Sequence, residues 1–359
     1  MMSSLRAIRF LFIALAGVSL LAGLWSGLGR IGWDLPQSNI DFRSYHGPLM
    51  AIGFLTTLIG LERAAVAEHR WVYGVPLLSV LGIASLLFGD HDRWAAALAF
   101  GASSLLVGFF WVLYRVRPSE HFVVMILSAG ALCVGNLIWF AETPISQVVP
   151  WWAGFLVLMI GGERLELTRL RRPSGSVLAQ FRGSVGVFLL GLAVSTFAFD
   201  FGVRVAGAGL SALALWLLRY DLVWQSLRQP GLPRFMARCL IAGYIWLAVG
   251  GVFWIVAADS FAAGPLYDAM LHAIFLGFVF SMIFAHAPVI FPAITGIGLP
   301  YQNIFYLHAG LLHLSLLLRV GGDLAAFAWG QKWGGALNAL SIILFLLNNV
   351  RAARLSAGA

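Results

Sequence analysis

Residues 53–63 read GFLTTLIGLER and residues 154–164 read GFLVLMIGGER, identical at seven positions and each running from apolar sequence into a Glu-Arg pair. A fainter third copy begins at Gly277 as GFVFSMI, sharing Gly, Phe, Met and Ile with the second, and its later end carries Ala285-His286 instead of Glu-Arg. Working outward from these stretches, apolar runs of about 20 residues, the length that crosses a bilayer core, follow one another almost end to end. They predict helices near 8–29, 44–67, 72–89, 93–115, 119–140, 149–168, 181–198, 201–220, 234–257, 266–287, 301–319 and 334–352. The three copies fall on the second, sixth and tenth spans, so the expected fold is all-α, with twelve transmembrane helices arranged as three four-helix repeats. Residues 1–359 are read as a single polytopic domain, with units of about 1–115, 116–220 and 221–359.

Composition agrees with lipid as the solvent. Hydrophobic residues make up 60%, charged residues 11%, and mean hydropathy is +0.89, whereas soluble domains carry roughly a quarter charged residues. Arg6 and Arg9 precede the first apolar run as they would in a signal peptide, but no clean small-residue cleavage site follows, so this helix is expected to be retained. The net charge of +8 is explained by where the cations lie. With the N-terminus inside, seventeen arginines occupy one set of turns, and Arg30, Arg43, Arg93, Arg204, Arg319 and Lys332 occupy the other. That asymmetry is the positive-inside pattern. It predicts cytoplasmic termini, a bacterial inner membrane and no nucleic-acid partner.

Several chemistries are excluded by what the sequence lacks. Cys133 and Cys239 stand singly within spans, giving no CxxC site and no disulfide frame. No GxxxxGK[ST] string occurs, so a nucleotide-driven pump is not encoded. The stretch 169–182 is expected to be a polar loop turning at Pro173-Ser174-Gly175. Glu62-Arg63 and Glu163-Arg164 are expected to form ion pairs at helix ends, and Trp25, Trp33, Trp71, Trp94, Trp151 and Trp152 an interfacial aromatic belt.

Histidine then carries the functional reading, because a titratable or ligating side chain inside a span is costly and marks function. His69, His91 and His121 lie at span ends or in turns. His46 opens the second span on a stripe with Met50 and Gly53, His272 lies little more than a turn into the tenth, and His313 lies short of the outer end of the eleventh. All three share one leaflet. Facing neutral imidazoles hold a haem iron axially, and Arg43 and Arg319 stand at the same face for the porphyrin carboxylates. Each histidine taken alone is better read as a hydrogen-bonded residue of a helix bundle, and only the set at one depth points to a ligand site. His286 lies about 21 Å deeper than His272 by helical rise. With His308 across a Pro-stiffened turn at 288–300 it forms a second candidate site, for copper or a proton relay.

His-Gly-x-x-Met at the start of a second span, a histidine on a tenth span, twelve helices and a four-helix repeat resemble the large subunit of heme-copper oxidases. That resemblance implies a low-spin haem b between the two histidines. The chain is also similar to the NnrS family of haem- and copper-containing membrane proteins. The likeness rests on His46, Met50, Gly53 and Phe54, and on Leu271-His272 with Gly277. It implies redox or nitric-oxide-related chemistry, with a gaseous ligand or an electron donor as partner. The sixth and seventh spans contain no histidine, so the binuclear centre of the oxidases is missing. Sensing, scavenging and electron transfer remain open, as do a cofactor-free twelve-helix transporter and an assembly subunit.

Overall fold

The computed structural model describes residues 2–36, 43–67, 69–89 and 92–357, and all regular structure among them is helical. His91 lies outside the described residues. The long helices are α1 (Met2–Arg30), α2 (His46–Val66), α3 (Arg70–Gly89), α4 (Asp92–Val116), α5 (Glu120–Phe140), α6 (Ile145–Thr168), α7 (Gly175–Ser195), α8 (Phe199–Tyr220), α9 (Leu232–Val256), α10 (Pro265–Thr295), α11 (Phe305–Leu324) and α12 (Ala328–Ala357). Among the described residues, eleven helices are long and apolar enough to cross a membrane, the make-up of a membrane-embedded protein. The remaining long helix, α11, has the length, but His308, His313, Arg319 and Asp323 dilute its hydropathy.

Two of the boundaries that differ from expectation have an evident local cause. The polar loop expected at 169–182 is shorter, because Arg169–Arg171 form a 3₁₀ turn and α7 already starts at Gly175. Helix α10 does not stop at residue 287. It runs through Pro288 and Pro292 to Thr295, since proline is tolerated in a membrane helix whose neighbours compensate the lost hydrogen bond. It ends where Gly296 adopts φ +73°, the left-handed cap that glycine takes without strain. The Gly296 N–H closes on the Pro292 carbonyl at 2.8 Å.

The chain forms two compact units, one of residues Met1–Phe155 with Ile290–Ile297, the other of Leu156–Val289 with Gly298–Ala359. In the first unit α1 packs along α2, α3 against α4, and α4 against α5. Phe12, Leu61 and Ile294 form a core beneath Arg9. The Arg9 guanidinium donates to Tyr73 Oη at 2.8 Å, the Ile294 carbonyl at 3.0 Å and the Ala65 carbonyl at 3.2 Å. A cation expected in a solvated turn thus ties four chain segments together. Trp152, assigned above to the interfacial belt, is buried instead and donates to Asn136 Oδ1 at 3.0 Å.

In the second unit α7 and α8 approach to backbone contact. A Cβ on Gly191, Gly202 or Gly209 would strike the facing backbone, the small-residue packing by which membrane helices associate without a hydrophobic driving force. At the Glu163-Arg164 end of α6, the arginine has a buried partner beyond its own helix. Arg164 closes bidentately on Asp221, at 2.7 and 2.9 Å. Asp221 also accepts from Tyr244 Oη at 3.2 Å and from the Val223 N–H at 2.8 Å. Each carboxylate oxygen has its donors, which is what a buried pair needs to offset desolvation. Glu62 and Arg63 do pair, at 3.9 Å.

Candidate functional site

Two spans depart from α-helical geometry, at one and the same place relative to the repeated Gly-Phe. In α2, residues Leu49–Thr56 are π-helical, and in α10, residues Ala273–Phe280 are π-helical. Gly53 and Gly277 are each the fifth residue of an eight-residue π segment. The corresponding Gly154-Phe155 of α6 lies in ordinary α-helix. Wider turns leave backbone groups to be satisfied differently, and the side chains that follow do this. Thr56 and Thr57 hydroxyls donate to the carbonyls five residues back, Ala51 at 2.8 Å and Ile52 at 3.3 Å. In α10, Ser281, at the offset of Thr57, donates to the Gly277 carbonyl. π segments of this kind are rare and concentrate at functional sites. Here each begins one to three residues after a histidine.

The two histidines are anchored through the same ring atom. His46 Nδ1 lies 2.8 Å from the Gly23 carbonyl of α1, and His272 Nδ1 lies 2.8 Å from the Asp268 carbonyl one turn back in α10. A carbonyl only accepts, so Nδ1 carries the hydrogen and the Nε2 lone pair is the coordinating one in the neutral ring. That arrangement orients a metal-binding imidazole. His286 is held likewise, Nδ1 to the Met282 carbonyl at 2.8 Å. His313 and His308 have the opposite polarity. His313 Nδ1 accepts from Trp246 Nε1–H at 3.2 Å, and His308 Nδ1 accepts from the Asn348 amide at 3.0 Å. Their neutral rings carry the hydrogen on Nε2.

The surroundings of the two rings differ. His46 is packed against α1 where that helix has no side chains, with Cε1 lying 2.9 Å from where a Cβ on Gly27 would stand, and the Met50 thioether fills the space over Gly23. Arg43 folds along Gly29 in the same groove. His272 sits instead in a charged assembly. Its Nδ1 is 3.2 Å from Asp268 Oδ1, and Asp268 takes two hydrogen bonds from Arg319, at 2.7 and 2.8 Å. The Arg319 and Asp268 side chains are only 7% and 15% exposed. Arg319, expected at an outer surface for a porphyrin carboxylate, is therefore a buried partner of Asp268.

The second candidate site has surroundings other than expected. The 288–292 part of the Pro-stiffened turn is helix. His308, 1% exposed, is enclosed by Phe235, Phe284, Phe305 and Phe345 with ring centroids 4.8 to 6.3 Å away. Among the described residues no three His, Cys, Asp or Glu side chains gather to hold a metal ion. A haem asks for less, one imidazole to each face of the iron. The tautomers of His46 and of His272 each put the ring's lone pair on Nε2, whereas that of His313 puts it on Nδ1, which accepts from Trp246. Sequence reading overlooked Asp221, Asp268 and Asp323. The signal was available for Asp268, since an aspartate four residues before a histidine shares its helical face.

A family model described as Domain of unknown function (DUF8744) matches residues 9–354. The chain belongs to this family. The match takes in residues from α1 through α12, and with them both π segments and both anchored histidines. A search of curated proteins finds no match.

Proposed function

We propose that this protein is a haem-binding integral membrane protein of redox or nitric-oxide-related function, similar to the NnrS family. The reading rests on one observation. His46 and His272 stand at the heads of the two in-register π segments, each with Nδ1–H on a backbone carbonyl, which puts the lone pair of the neutral ring on Nε2. In this reading His46 and His272 would hold a b-type haem, with Met50 and Arg43 as further residues that would contact it. A bound haem supplies one-electron exchange and an iron able to take a gaseous ligand. The chain's own contribution is orientation: the Gly23 carbonyl and the Asp268 carboxylate fix the rings, and the apolar π segments exclude water. The three Gly-Phe sequence copies on α2, α6 and α10 favour the three four-helix repeats of a heme-copper-oxidase-like fold. The charge asymmetry favours a bacterial inner membrane with both termini in the cytoplasm.

The test is an absorption spectrum of the protein purified from haem-replete cells, oxidised and dithionite-reduced. Sharp reduced bands in the visible are expected, lost in His46→Ala and in His272→Ala with the protein still folded. A colourless preparation discards the reading. It would favour a cofactor-free transporter, the alternative that gains from the buried charges Asp268, Arg319 and Asp323 on α10 and α11.

A further inference from the structure

Where α9 and α11 begin, the second unit carries positive charge without a counter-charge. Residues 222–258 and 269–322 contain no Asp or Glu, yet Arg228, Arg234 and Arg238 stand before and within the first turns of α9. The nearest acid before them, Asp221, is buried and committed to Arg164 and Tyr244. The arginines are placed by packing. Phe235, fully buried, lies against Tyr301, Phe305 and Tyr306 with ring centroids 5.3 to 5.9 Å away, which fixes Tyr306 beside α9. The exposed Arg238 guanidinium lies over the Tyr306 ring, 5.1 Å from its centroid. Arg234, partly exposed, is one turn back on the same face. A guanidinium seated over an aromatic ring keeps a planar fork of N–H donors, the shape that takes phosphate bidentately.

Beyond the arginine the exposed surface is apolar. On α9, Ile245 and Val252 are 50% and 49% exposed and follow Arg238 at seven-residue steps, which continues its face with little drift. On α11, Gly310 follows Tyr306 by one turn, and Leu317, seven residues on, is 59% exposed. Gly310 is itself exposed, and a Cβ there would meet nothing within 4 Å. The two helices meet at Arg238–Tyr306 and again where Trp246 Nε1 donates to His313 Nδ1 at 3.2 Å. Together they present an apolar strip with a gap at Gly310 and a cation at its head. From Arg238 to Val252 the strip runs about 21 Å by helical rise, more than half of a bilayer core about 30 Å thick.

We propose that Arg238 and Arg234 bind the phosphate of an anionic phospholipid whose acyl chain lies along the α9–α11 strip over Gly310. Charge selects the headgroup, because basic sites between membrane helices favour lipids of net negative charge. The strip selects a lipid over a soluble phosphate. The site is independent of any cofactor at the histidines.

Native mass spectrometry of the full chain in neutral detergent, titrated with phosphatidylglycerol, tests this. The wild type should hold one phosphatidylglycerol more tightly than phosphatidylcholine, and inorganic phosphate should not displace it. Arg238→Gln should weaken binding about fivefold, the contribution of one cation near a membrane surface. Gly310→Leu fills open space, so it should fold and should weaken binding through the strip alone; it decides if Arg238→Gln does not fold. Arg219→Gln is the control. That arginine also lies over a tyrosine, 5.9 Å from the Tyr220 centroid, but at the end of α8, and its loss should leave the affinity unchanged. Equal retention of phosphatidylcholine, displacement by inorganic phosphate, undiminished affinity in Arg238→Gln or Gly310→Leu, or an equal loss in Arg219→Gln overturns the proposal. The last result would make the binding a property of the whole basic face.

Discussion

The head of α2 and the head of α10 share a backbone device and differ in how they hold a histidine. Both place an eight-residue π segment in the same register on a Gly-Phe pair, and both close it with hydroxyls on internal carbonyls. At α2 the ring is held by the backbone of a neighbouring helix, against glycines, with Arg43 lying along the same groove. At α10 the ring is held within its own helix and backed by an aspartate that an arginine neutralises. Two segments can thus share a backbone geometry while the chemistry around them differs. The α2 site depends on shape and the α10 site on electrostatics, and each should be broken by a different kind of substitution.

The largest effect is expected from Asp268→Ala. It strands the buried Arg319 guanidinium and strips His272 of its carboxylate, and removing one member of a buried ion pair costs about 3–5 kcal/mol. Thermal denaturation in detergent measures this. Asp268→Leu with Arg319→Met should recover most of the loss, because two apolar side chains replace the pair without leaving a charge. Were Asp268→Ala to cost less than about 1 kcal/mol, the range of an exposed pair, the α10 assembly would be open to water and the contrast with α2 would lapse.

The next effect belongs to α2. A Cβ on Gly27 meets the rigid His46 ring at 2.9 Å, while one on Gly23 meets the Met50 sulfur at 2.5 Å. An unbranched thioether moves aside and an anchored imidazole cannot. Gly27→Ala should therefore cost about 1–3 kcal/mol, as overpacking does, and displace His46 from the Gly23 carbonyl, with any cofactor absorption shifting accordingly. Gly23→Ala should be milder on both measures. Equal effects would show that the groove accommodates side chains at either position and does not set the ring.

How much of this could be read in advance follows from the physics of each signal. Helix number and approximate limits were legible because a bilayer enforces length and hydropathy, and the Gly-Phe repeat was visible as identity. The π segments were not, since Leu49–Thr56 and Ala273–Phe280 are as apolar as any neighbouring α turn, and a widened turn leaves no compositional trace. The histidines at 46, 272 and 313 stood out as expensive residues, but their tautomers depend on Gly23, Asp268 and Trp246, and the Gly23 and Trp246 contacts lie 23 and 67 residues away in sequence. Arg319 was placed by its position at a helix end. Its burial against Asp268, 51 residues away, is a property of packing alone.

The smallest effect sharpens the role of a ring that both sites could have recruited. Trp246→Phe keeps an aromatic ring on α9 and removes the one donor that holds His313 Nδ1. The loss of a single neutral hydrogen bond costs about 0.5–1.5 kcal/mol, close to the resolution of a melting curve, so the informative measurement is spectroscopic. With Nδ1 released, His313 is free to adopt the other tautomer, which turns an Nε2 lone pair outward. If His46 and His272 are the ligands, the absorption spectrum should stay as it is, because His313 takes no part in either polarity. A changed spectrum would mean that His313 competes for the same centre, and that the difference in anchoring between α2 and α10 does not by itself select the ligands.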